Sequence, residues 1–299
     1  MAPPADSVFE GAAITALGLA AARSVETGTN DRLIEDPLAR RLFEAAGVEL
    51  PMRLDWPAEG TAPTPQEALH LHGSRYIGLR TRFYDDHLVQ AAEAGIRQVV
   101  LLGAGLDTRA HRLALPADLK LFELDRAELL HWKRAQLRRL RAVPRCSVRD
   151  VGVDLREDWP AALQAAGHDG DRPTLFLAEG LLAYLDAEAQ WRLAGRVAAL
   201  AAPGSRMACD RIAGDPRAEG RLEHLSRRSG IDMSALVATD GSRELEQLLI
   251  ARGWRVTDLC VPELARRHGR DLRDPFASPR EAVEPPWLNT RFVVASLPG

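Results

Sequence analysis

Gly103 and Gly105 flank one alanine directly after the apolar run Val99 to Leu102, and Asp125 stands 20 residues beyond Gly105, after a second run from Leu119 to Leu124. Glycines at a strand end take positive φ and let backbone approach a ligand, while a carboxylate after the next strand accepts hydrogen bonds from ribose hydroxyls. The spacing predicts a nucleotide-like ligand at this turn. A dinucleotide fingerprint would place another glycine or alanine where this chain has Thr108, and would not set Asp107 beside a pyrophosphate. That disfavours a nicotinamide dinucleotide. A carboxylate at the turn is compatible with a cationic ligand, such as the sulfonium and ammonium of S-adenosylmethionine. On the glycines alone, a strand and turn with no ligand is the competing explanation.

Arg80 is the second chemically suggestive residue. A helix capped by Ser74 and ending near Ala94 gathers Tyr76, Ile77, Leu79, Phe83, Tyr84 and Leu88 on one side, with Arg80 near their middle, and turns Arg75, Arg82 and Asp85 away. An arginine on an apolar face requires an acidic side chain or a bound carboxylate, unless it snorkels to water. Asp154 follows the strand expected at Cys146 to Val153, and Glu179 follows the apolar strand Thr174 to Ala178. In an open parallel sheet both lie on the edge that carries Gly103, Gly105 and Asp125, where ligands bind. Each carboxylate singly is as readily a helix cap. Cys146, Cys209 and Cys260 lack metal-ligand spacing, and His70-Leu71-His72 reads as a solvated loop, so neither a metal site nor a disulfide is expected.

The elements that must position these residues alternate. Residues 1 to about 95 read as helical: Gly11 to Glu26 is alanine-rich, Asp36-Pro37 opens a helix that stops at Gly47, and Pro51 to Gln66 reads as a loop. Strand and helix then alternate through a strand at Ser205 to Ile212, which predicts a doubly wound, mostly parallel α/β sheet. Ala213 to Asp240 interrupts the pattern and reads as a helical lid. Its Arg217, Arg221, Arg227 and Arg228 either attract an acidic substrate or lie on a solvated face. A helix from Ser242 to Arg252, a strand from Trp254 to Leu259, a proline-rich loop and a last strand from Thr290 to Leu297 complete the chain. The expected organisation is a single domain over 1–299, with a helical cap (1–95), a cofactor-binding core (96–212), a lid insertion (213–240) and the rest of the sheet (241–299).

Composition sets the outer bounds. The 299 residues are 46% hydrophobic and carry a formal net charge of −3 with both signs well mixed, so no nucleic-acid or anionic membrane partner is expected. No run approaches the roughly 18 apolar residues of a membrane span, and the N-terminus has neither a basic nor an apolar leader region, which predicts a cytoplasmic protein. Oligomeric state is not legible.

Taken together, VVLLGAGLDTRAHRL, FELD, Val153-Asp154-Leu155 and AEGLLAYL from Ala178 resemble the leucine carboxyl methyltransferase family, as do ARSVETGTNDRLIEDPLA and RYIGLRTRFYDD nearer the N-terminus. The family includes bacterial enzymes that methylate carboxylates of natural products. The resemblance implies a class I, Rossmann-like methyltransferase sheet of seven strands, the last antiparallel and inserted between its two predecessors. It also implies S-adenosylmethionine as cofactor. Arg80 would hold the methionine carboxylate, Gly103 and Gly105 would line its backbone, and Asp125 would bind ribose. Asp154 and Leu155 would face adenine, Glu179 would sit near the methionine amino group, and Arg23 would be a further carboxylate contact. The reaction implied is O-methylation of a small-molecule or peptide carboxylate to a methyl ester. A hydroxyl acceptor, a nicotinamide oxidoreductase and a noncatalytic cofactor-binding module are the alternatives. No base is locked into these motifs, and Tyr184, Tyr84 and His87 are the candidate substrate contacts.

Overall fold

In the computed structural model, residues 8–214, 222, 223, 226, 231–238, 243–273, 276 and 286–299 are described. Strands β1 (Gln98–Leu102), β2 (Lys120–Asp125), β3 (Ser147–Gly152), β4 (Thr174–Ala178), β5 (Arg206–Ile212), β6 (Arg255–Cys260) and β7 (Thr290–Ser296) form one sheet in the order β3-β2-β1-β4-β5-β7-β6. β1 to β5 pair in parallel, and β7 runs antiparallel between β5 and β6. This is the mostly parallel α/β sheet that the alternation predicts, with the seven strands and inserted antiparallel strand that the family resemblance implies.

Both faces of the central strands are covered, which explains their unbroken apolar runs. Val99, Leu101, Leu121, Leu175 and Leu177 point to one side, against α3 (Pro65–Glu93) and α10 (Val261–Arg267). Val100, Leu102, Phe122, Phe176 and Ala178 point to the other, against α7 (Ala187–Leu200) and α9 (Glu244–Ala251). Each fully buried leucine or phenylalanine contributes roughly 1.5–3 kcal/mol relative to exposure. A third apolar cluster joins α1 (Ala13–Thr27) and α2 (Pro37–Ala46) to α5 (Ala127–Arg139), with Phe9 edge-on to Trp132 at 4.8 Å between ring centroids. It seats α1 over the glycine turn, where a Cβ on Gly105 would stand 3.4 Å from that of Ala16.

The helix carrying Arg80 departs from expectation. It starts at Pro65, not after Ser74, because Thr64 and Glu67 form a reciprocal capping box and Pro65 suits the first turn. Ser74 is interior to the helix and its hydroxyl donates to the carbonyl of His70. The His70-Leu71-His72 stretch is therefore helical, and His72 is buried. Between Tyr76 and Asp85 only Arg82 is exposed, because the helix packs against α1 as well as the sheet. A one-sided wheel consequently misplaces Asp85, which is buried. Residues 261–267, expected within a loop, form α10, with Pro262 in its first turn. Most of the expected lid lies outside the described residues, including Arg217, Arg221, Arg227 and Arg228; within it α8 (Met233–Leu236) is a single turn. No helix among the described residues is long and apolar enough to cross a membrane.

Candidate active site

A cavity of about 690 Å³ opens at the carboxyl ends of β1, β2 and β4 and the turn after β3. The glycine turn forms its floor. Gly103 and Gly105 have φ of 73° and 47°, and the amides of Gly103 and Ala104 both donate to the carbonyl of Leu124, at 2.9 and 3.0 Å. A side chain at Gly103 would be strained in that conformation and would meet Leu181. The Asp125 carboxylate closes the turn: Oδ2 accepts from the Gly105 amide at 2.7 Å and Oδ1 from the Arg126 amide at 2.8 Å. Each oxygen retains acceptor capacity, and Asp125 lines the cavity.

Behind this floor lies a buried network of alternating charge. Arg80 Nε donates to Glu179 Oε1 at 3.1 Å, and Arg109 Nη2 donates to Oε2 at 2.7 Å. Arg109 also donates to Asp85 at 2.7 Å and pairs with Asp107, while Arg112 grips both oxygens of Asp85. Arg23 donates to Asp36 at 2.9 Å and to the carbonyl of Leu106 at 2.8 Å, tying α1 to the glycine loop. Four arginines balance four carboxylates here, so the cavity wall is highly charged yet close to neutral. Burial pushes the Glu179 carboxyl up, but Arg109 and Arg80 outweigh it and hold Glu179 below its usual range. Asp107 is held low in the same way, by Arg109 and Lys133 against burial. Because Arg109 neutralises Asp107, that carboxylate presents less charge to a ligand than the sequence suggests. Two donors in the network are unused among the described residues: Arg80 Nη2 and Arg112 Nε are buried and have no hydrogen-bond partner.

The other expected residues fall as follows. Asp154 and Leu155 line the cavity, and both Asp154 oxygens take hydrogen bonds from the exposed Arg156, which lowers the carboxyl. Arg23, Arg80 and Glu179 also line it. Tyr184 lines it too, with its hydroxyl donating to Thr15 at 3.3 Å. Tyr84 and His87 do not line it. Tyr84 is fully buried and donates to Asp210 Oδ1 at 2.5 Å, and His87 packs edge-on to Phe83 at 4.4 Å between centroids. Helix geometry explains this, since both stand one and two turns beyond Arg80, toward the core.

A second cavity of about 290 Å³ adjoins the first. The two share Gly18, Leu19, Arg80, Gly180, Tyr184 and Met233 as lining residues. The second is predominantly apolar, with Leu69, Ile77, Val237, Tyr76 and Trp287 in its wall and the last two rings stacked at 5.9 Å. Arg80 is the only arginine or lysine that lines it among the described residues, and Asp210 is its only carboxylate. Neither Asp210 nor Trp287 was anticipated. Asp210 had a signal, as the lone acid inside the strand run MACDRI. Arg109 and Arg112 had one also, standing three residues apart just after the glycine turn.

A model of the leucine carboxyl methyltransferase family matches residues 16–198. A protein of Mycolicibacterium paratuberculosis named "Putative S-adenosyl-L-methionine-dependent methyltransferase" is 40% identical over 305 residues, covering 99% of this chain and 95% of the relative. One of the same name from Mycolicibacterium gilvum is 42% identical over 268 residues, covering 86% and 87%. A solved methyltransferase-fold structure from Thermobifida fusca YX superposes with a TM-score of 0.50 at 18% identity, covering 93% of this chain and 94% of its own.

Proposed function

The chain belongs to the leucine carboxyl methyltransferase family and is an S-adenosylmethionine-dependent methyltransferase, and on that premise we propose that it methylates an oxygen of a small, largely apolar acceptor held in the second cavity. The observation that carries this reading is the junction of the two cavities at Arg80, Gly180 and Tyr184. Ligands in the two spaces would meet there.

The residues lining the larger cavity fit the cofactor. Arg80, which lines it, suits a carboxylate, Glu179 suits an ammonium, and the spare lone pairs of Asp125 suit ribose hydroxyls. Asp154 and Leu155 are proposed at the adenine end, and Arg23 acts through Asp36 and the glycine loop. Bound S-adenosylmethionine supplies an electrophilic methyl group and leaves as a neutral thioether. What remains for this chain is to orient the two ligands, hold them in line and exclude water, which is where most of the rate acceleration arises.

The acceptor oxygen has two readings. The family name points to a carboxylate, which is already ionised at neutral pH and needs no base. Its rate should be nearly flat between roughly pH 6 and 9. A hydroxyl needs a base, and the specific observation favouring it is the buried Asp210 in the second cavity. Incubation of apolar acids and phenols with methyl-labelled S-adenosylmethionine, followed by mild alkali, tests both. An ester releases labelled methanol, whereas an ether does not. Absence of label on any oxygen acceptor, with cofactor binding intact, would refute O-methylation.

A further inference from the structure

Asp210 combines burial, an open oxygen and a place beside the junction. Its residue surface is 7% exposed, on β5 opposite Phe292 of β7. Oδ1 is saturated: it accepts from the Tyr84 hydroxyl at 2.5 Å and from the Gly180 amide at 2.7 Å. Oδ2 takes no hydrogen bond among the described residues and is not sealed from the cavity that Asp210 lines. Because Gly180 itself lines both cavities, Asp210 stands one hydrogen bond from their junction.

We propose that Asp210 is the general base of the methyl transfer, and that it makes the second cavity select an acceptor hydroxyl on an aromatic or otherwise apolar body over a carboxylate. The proposal rests on the O-methylation reading and deepens it. Oδ2 takes the hydroxyl proton while the acceptor oxygen's lone pair forms the bond to the methyl carbon, and the methyl–sulfur bonding pair returns to sulfur. The proton then leaves Asp210 for solvent, so no further reactant is required. An acceptor carboxylate in the same place would face a like charge in a desolvated cavity, with Arg80 already engaged by Glu179.

The surroundings suit a base. Burial raises the Asp210 carboxyl above its usual range, Arg80 opposes that, and Glu179 reinforces it. Tyr76 and Tyr84 face it from α3, both held neutral by burial, and Cys209 neighbours it on β5. A carboxylate with raised basicity is better matched to proton abstraction near neutral pH than an exposed one. His70 is the only histidine that lines this cavity among the described residues, and it is less well placed. Its Nε2 donates to the Arg53 carbonyl at 2.9 Å, and it lies ten residues before Arg80 on the same helix, about 15 Å along the axis.

The test uses the full chain with 1-naphthol and 1-naphthoate, which present one apolar ring system and differ at the acceptor group. Calorimetry on the protein loaded with S-adenosylhomocysteine gives their binding, and labelled S-adenosylmethionine gives turnover. Wild type should methylate 1-naphthol and bind 1-naphthoate at least about tenfold more weakly. Asp210→Asn keeps side-chain size and an oxygen for Gly180; it should retain cofactor affinity, lose on the order of 100-fold or more in naphthol kcat and bind naphthoate more tightly than wild type. Tyr84→Phe removes a hydrogen bond that stabilises the charged carboxylate, so the acid limb of the kcat profile should move to higher pH with kcat recovered above it. A merely structural tyrosine would lower kcat evenly at every pH. If Asp210→Asn does not fold, the Tyr84→Phe profile decides. Naphthol turnover that survives Asp210→Asn within tenfold refutes the base and leaves O-methylation standing. Naphthoate methylated faster than naphthol, loss of cofactor binding in folded Asp210→Asn, or failure of both probes to bind at millimolar concentration overturns the proposal. Wild type that binds both probes and labels neither overturns the O-methylation reading itself.

Discussion

Arg80 and Asp125 each hold a structural bond and a spare capacity, so substitutions at them separate cofactor binding from folding. Asp125→Ala removes the charge-assisted acceptors proposed for ribose as well as the bond to the Gly105 amide. Its S-adenosylmethionine affinity should fall tens- to hundreds-fold, on the order of 2–4 kcal/mol, measured by calorimetry. Unchanged affinity would remove Asp125 from the site. Arg80→Lys keeps the charge but loses the planar fork that reaches Glu179 through Nε in the wall of the cavity. Cofactor binding should weaken at least about tenfold, with a thermal midpoint close to wild type. Retained binding with a collapsed midpoint would instead mark Arg80 as the ion-pair partner of Glu179 alone. Arg80 was legible as a buried charge, because helical period already placed it among six apolar side chains. Its partner was not legible, since Glu179 is 99 residues away and a carboxylate after a strand is more often a cap.

At the scale of elements, α3 carries both Arg80, proposed to hold the cofactor, and much of the wall of the second cavity, and its N-terminus rests on Thr64 and Glu67. Thr64→Ala breaks the capping box at an exposed site, so the midpoint should drop by about 2–4 °C while cofactor affinity is retained. A matching loss of affinity would mean that the cap sets the position of Arg80 four turns away. Gly78 is where α3 meets α1: an added Cβ would come within 2.4 Å of the Glu26 side chain, which is fully buried and paired with Arg270. Gly78→Ala should therefore cost at least about 2 kcal/mol, read by chemical denaturation, because a buried pair must be displaced. A neutral result would show that Glu26 can swing aside. The capping box was written in the sequence as Thr64-Pro65-Gln66-Glu67, but the surrounding prolines read as a loop. Proline is acceptable in a first helical turn, and that exception is what a residue count misses.

At the scale of the whole molecule, the charge network links α1, α3, the glycine loop and the turn after β4, and its carboxylates make stability depend on pH. Glu179 has a folded pKa held below its ordinary value of 4.5. Its contribution is thus fully present above that value and is lost as pH falls through the lower, folded one. Glu179→Gln should lower the midpoint at pH 7, since it leaves Arg80 and Arg109 less well compensated, and the gap to wild type should close as pH falls from 4.5 through the lower, folded value. A gap that never closes as wild type is acidified to the point of unfolding would place the effect in packing.

Alternation of apolar runs with amphipathic segments, the glycine spacing and the turn residues determined the α/β class, the strands and the edge on which the candidate site lies. These are local patterns, set by the period of two or 3.6 residues and by which residues tolerate positive φ. The Gly-Ala-Gly turn, Asp125 and the chemistry of Arg80 were legible for that reason. Only tertiary structure decided that Asp85 is buried, that Arg109 neutralises Asp107, that Tyr84 turns to the core, and that Asp210 and Trp287 share a cavity with Arg80. Most of those facts arise from contacts between residues far apart in sequence, such as Tyr84 and Asp210 at 126 positions, and even the neighbouring pair Asp107 and Arg109 is buried only because the fold closes around it.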